Sequence, residues 1–137
     1  MSLNENQQRS VRITLMLLEK SLDEIEHLLR GNGHEGLLYQ IHKTIPEGQC
    51  QSILKAISLI RVEMKMVKDN FHLEVAHEDM KSKMRGILGI AWENLEDAKS
   101  AKLHAYGKVD ATLKDTLDPH IDKIIQLIMD NIYPIVL

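Results

Sequence analysis

Two Glu-x-x-His pairs, Glu24…His27 and Glu74…His77, are the residues of this chain whose types and spacing best suit chemistry. A step of three sets a carboxylate and an imidazole on one side of a helix, where both can ligate one metal ion. The second pair sits in a denser run with His72, Glu78 and Asp79. Imidazole and carboxylate are ligand types for zinc and nickel, so His72, Glu74, His77 and Glu78 are the candidate metal ligands. Their spacing is loose, and the fold must gather them. A helix start explains Glu78 and Asp79 equally well, because acidic side chains stabilise its positive end. The run Asp118, His120, Asp122 has the same explanation. There is no Gly-x-x-x-x-Gly-Lys phosphate loop, no Gly-x-Ser-x-Gly elbow and no Cys-x-x-Cys, and no cofactor is implied.

The elements that must position these residues are helices. Apolar residues recur in alternating steps of four and three through Val11, Leu15, Leu18, Leu22, Ile25 and Leu29. The pattern returns through Ile53, Ile57, Ile60, Met64, Val67 and Phe71, and again through Ile121, Ile125, Ile128 and Ile132. Each set lies along one side of an α-helix and must be buried against a neighbour. A third helix shows Met80, Met84, Ile87, Leu88, Ala91, Leu95 and Ala98 on its inner face. The expected helices span about 4–30, 44–74, 77–106 and 118–133. Gly31-Asn32-Gly33 stops the first, and Thr44-Ile45-Pro46-Glu47 reads as a capping box for the second. Asp118 caps the fourth and Pro134 ends it. Short extra helices are expected near Gly36–Ile41 and Asp110–Leu117. Four long helices with short connections pack most simply as an antiparallel up-down-up-down four-helix bundle. The expected fold is all-α, a single domain over 1–137.

In a four-helix bundle, two Glu-x-x-His motifs resemble those of the ferritin-like di-metal carboxylate proteins, whose ligands point inward. The angular step places Glu24 and His27 outward here, roughly 160° from the seam at about 100° per residue. His27-Leu28-Leu29-Arg30-Gly31 resembles the His-x-x-Lys-Gly signature of histidine phosphotransfer domains. That resemblance implies an exposed phospho-accepting His27 on a helical bundle. The match covers five residues, arginine replaces lysine, and the helix ends where the family's helix continues. No family's motifs match over a useful length.

Ile13 and Leu17 lie on the far side of the first helix, one turn apart. A cover is expected for them, either the apolar tail Ile135, Val136, Leu137 or a second subunit. The chain has 137 residues, 44% hydrophobic and 27% charged, a globular balance. A net charge of -3 and 4% aromatics argue against a nucleic-acid partner. Charges interrupt every apolar stretch before membrane-spanning length, and no charged start leads into an apolar run. The single cysteine, Cys50, has no internal partner, as in a reducing cytoplasm. The sequence therefore points to a cytoplasmic, non-enzymatic interaction or regulatory module, partnered by itself as a homodimer or by another protein, with no nucleic acid and no membrane. The alternative is a metal-binding or phosphotransfer bundle using His27 or the His72/His77 cluster.

Overall fold

The computed structural model describes residues 2–137, so Met1 of the expected domain range lies outside them. The fold is all-α, with no strand among the described residues. The chain gathers into two compact units, Met1–Val75 and Ala76–Leu137. The first holds α1 (Glu5–Leu29) and α2 (Glu47–Asn70). The second holds α3 (Met80–Asp97), a 3₁₀ segment (Ser100–Tyr106), α4 (Leu113–Thr116), α5 (Asp118–Asn131) and α6 (Tyr133–Val136).

In the first unit the start of α1 meets the end of α2, where the Gln8 side chain donates to the Phe71 carbonyl at 3.2 Å. Further along, Arg61 of α2 donates to Asp23 and Glu26 of α1, at 2.9 and 3.3 Å. Leu22, Cys50, Ile57 and Leu73 are buried. In the second unit Ile121 and Val136 are buried. Trp92 of α3 meets Tyr133 edge-on with ring centroids 6.5 Å apart, and Arg85 of α3 donates to the Val136 carbonyl.

The helix ends follow from hydrogen bonding. Asn4 opens α1 with a reciprocal box that the sequence reading did not identify. Its side chain accepts from the Gln7 N–H at 2.8 Å, and the Gln7 side chain accepts from the Asn4 N–H at 2.9 Å. At the other end Gly31 takes φ +78°, as a helix-stopping glycine should. The Gly31 and Asn32 N–H groups close onto the Leu28 and His27 carbonyls at 3.1 and 2.9 Å.

Several expected boundaries are corrected. The segment near Gly36–Ile41 is no helix; Glu35 and Gln40 form an isolated antiparallel bridge, with the Gly36 N–H on the Tyr39 carbonyl at 2.9 Å. The Ile41 N–H also bonds to the His34 carbonyl at 2.7 Å, so the backbone closes on itself as a turn rather than a helix. The Tyr39 ring lies only 2.3 Å from where a Cβ on Gly36 would sit, so any larger residue there must push the ring aside. Leu37 and Leu38 at its tip are 98% and 92% exposed. Thr44 does not cap α2: Pro46 takes the cap position without a side-chain bond, and Glu47 accepts from Lys43 and Gln51 instead.

Helix α2 stops at Asn70 rather than 74. His72 adopts φ +54°, and the Leu73 N–H reaches back to the Lys68 carbonyl at 3.0 Å. This is the helix stop usually built with glycine, so composition gave no sign of it. Helix α3 stops at Asp97 rather than 106, because the Ser100 N–H that would bond to the Glu96 carbonyl is taken by Asp118 at 2.8 Å. Asp118 therefore clamps Ser100 instead of capping its own helix. The last helix stops at Asn131, and Tyr133–Val136 resumes as a separate turn with Pro134 in its first positions.

Two substitutions test these ends by urea unfolding. Asn4→Ala is expected to lower stability by about 1 kcal/mol. His72→Gly is expected to raise it by roughly 0.5–1 kcal/mol, relief of the left-handed strain outweighing the added freedom of the unfolded chain. His72→Val is expected to lower it, since a β-branched residue is the poorest occupant of that region.

Candidate functional site

The residues with chemical potential sit at helix ends, and most are committed to closing them. His27 is exposed on the last turn of α1, and its Nδ1 lies 3.4 Å from the Asn32 side-chain nitrogen. His34 Nε2 lies 2.6 Å from the Leu28 carbonyl, capping the same helix end. The helix does not continue past Gly31, in contrast to the phosphotransfer pattern.

The candidate metal ligands fall on either side of the boundary at Val75 and Ala76. His72 and Glu74 are exposed in the first unit, and His72 serves the α2 stop through its backbone. In the second unit His77 is exposed ahead of α3, and Glu78 pairs with Lys83 at 3.4 Å. Asp79 caps α3 by accepting from the Ser82 N–H at 2.8 Å, which holds its carboxyl below the usual range. Among the described residues no three His, Cys, Asp or Glu side chains are grouped to hold a metal ion.

The first unit has two unlike faces. On one, Arg61 bridges to Asp23 and Glu26. Beside this clamp an open polar groove of about 550 Å³ is lined by Glu26, Arg30, Gln51, Lys55 and Ser58, among others. Its two hydroxyls are occupied within their own helix: Ser52 donates to the Gly48 carbonyl and Ser58 to the Leu54 carbonyl.

The other face is apolar. Taking Leu22 and Ile57 as the inward directions, Glu26 and Arg61 are rotated about 40° to the same side. Leu18, Ile25, Ile60 and Val67 are rotated about 40–80° the opposite way, which places them together on the face away from the clamp. Leu18, Ile25 and Ile60 are 38%, 41% and 40% exposed. The sequence seams contain all three, but a seam this broad exceeds the strip that one neighbouring helix covers. Ile13 and Leu17 are exposed, and α2 adds Leu59, Val62 and Met66 on its outer side. In the second unit Ile87, Ile90, Ile124 and Leu127 are exposed. Val136 is buried, whereas Ile135 and Leu137 remain exposed. No helix among the described residues is long and apolar enough to cross a membrane.

Comparison with known protein families, with curated proteins and with solved structures finds no match for this chain.

The Asp118–Ser100 clamp carries a pH signature. Asp118 accepts from both the Ser100 N–H and its hydroxyl at 2.8 Å, and these bonds hold its carboxyl below the usual range. Its contribution to folding is fully present above the ordinary carboxylate pKa of about 4 and is lost as pH falls through the lower folded value. Asp118→Asn is expected to unfold more easily near neutral pH. Its thermal midpoint should fall less than the wild type's between about pH 6 and about pH 3, measured by circular dichroism.

Proposed function

We propose that this chain is a non-enzymatic protein-interaction module whose exposed apolar helical faces receive a helical partner, either a second copy or another protein. The observation that carries this reading is the apolar face of α1 and α2, with Leu18, Ile25 and Ile60 each more than a third exposed. Contiguous exposed apolar surface on a helical scaffold marks an interaction site more often than a monomer surface. Ile13, Leu17, Ile135 and Leu137 add further apolar side chains available to a partner. In this reading the α1 and α2 seams belong to an antiparallel four-helix bundle that the partner's helices complete. The cytoplasm is the compartment that suits its single unpaired cysteine.

The polar residues support the same direction. His34, Asp79 and Asp118 are bonded to backbone groups at helix ends, His72 shapes one through its backbone alone, and the groove near Arg30 holds two hydroxyls bonded within their own helix. Elemental analysis of protein purified without a metal-affinity tag tests the reading against the metal-binding alternative. Less than stoichiometric zinc or nickel is expected. Stoichiometric metal that disappears in His72→Ala and His77→Ala would overturn the proposal.

A further inference from the structure

The apolar face of α1 and α2 is unusual in what surrounds it. On α1 an arc of about 140°, counted at about 100° per residue, contains eleven residues from Gln7 to Leu29 and no charge. Its polar members, Gln7, Ser10, Thr14 and Ser21, are all neutral. All eight Asp, Glu, Lys and Arg residues of α1 lie in the remaining arc. On α2 the matching arc of about 140° runs through Ile53, Ile57, Ile60, Met64 and Val67, with Gln49, Ser52, Ala56 and Asn70 at its side. Glu63 is the single charge there, at the margin. Interface centres are depleted in charge in this way, whereas solvated helix faces are not.

We infer that this face binds the same face of a second copy, so that two α1–α2 hairpins stack into a four-helix assembly with twofold symmetry. The inference rests on the interaction reading above and names the partner. Three features favour a copy of the chain. A twofold interface sets a patch against itself, so a patch with charges of one sign would repel its copy. This patch is nearly neutral and meets no such penalty. Length agrees as well. The helices that carry the face are 24 and 25 residues long. A second hairpin matches it end to end. Area agrees too: two adjacent helices, roughly 36 Å long at about 1.5 Å per residue and about 20 Å wide together, offer about 700 Å² per copy. A stable interface of standard size takes about 800 Å² from each partner.

Sedimentation equilibrium of the full chain over a range of concentrations reads the result. The expected outcome is a dimer. Ser21→Glu places one charge in the neutral arc at an exposed position, away from the buried residues of the hairpin. It should raise the dimer Kd by roughly 100-fold or more, because each copy then buries an unpaired charge, while helicity is retained. Leu18→Glu should do the same. Leu59→Glu, on the outer side of α2, should leave the Kd unchanged. A wild-type chain that stays monomeric at every concentration overturns the inference. So does a dimer that Leu59→Glu dissociates and Ser21→Glu does not. In both cases a chain free of stoichiometric metal leaves the broader interaction reading standing, so the two failures are distinguishable.

Discussion

Two helices side by side hide only the strip along which they touch. That limit governs the first unit. A seam in alternating fours and threes spreads over roughly a quarter of the helix circumference, and one neighbour covers part of it. Leu22 and Ile57 lie on the covered strip and are buried; Leu18, Ile25 and Ile60 lie beside it and are not. The Arg61 clamp to Asp23 and Glu26 closes the opposite margin with charge. Such an exposed pair contributes at most about 1 kcal/mol, so it sets the register and face of the hairpin more than its stability.

Helix ends account for most of the remaining polar chemistry. Each helix presents four N–H and four carbonyl groups that its own turns cannot satisfy. Asn4, Asp79, His34 and Asp118 supply partners for them, and Gly31 and His72 supply the left-handed turns that let the backbone do so. A histidine or aspartate engaged in this way looks like a ligand in sequence. Its bonds reveal a structural duty.

The helical class and the four long helices were legible because side-chain periodicity is a local property. The stop at Gly31 was legible for the same reason, since glycine announces a left-handed turn. The stop at His72 was not, because a histidine in that conformation is chosen by packing of Leu73 and by backbone closure. Nor was the end of α3, which depends on Asp118 arriving from 18 residues away. The loop after Gly33 misled for a related reason: Leu37, Leu38 and Ile41 have the composition of a helix face but no neighbour to pack against. The partial exposure of Leu18, Ile25 and Ile60 was not legible, because periodicity marks a face without saying how much of it one neighbour covers.

The loop tip has a practical consequence. Leu37 and Leu38 project almost fully into solvent from a turn closed by the Glu35–Gln40 bridge, and neither belongs to a helix. A protease with aliphatic preference meets its most accessible bond there. Cleavage at that bond would sever the connection between α1 and α2 while leaving both helices whole, and their association would then depend on side chains alone. The same tip is where a peptide tag can be inserted with least disturbance to either helix.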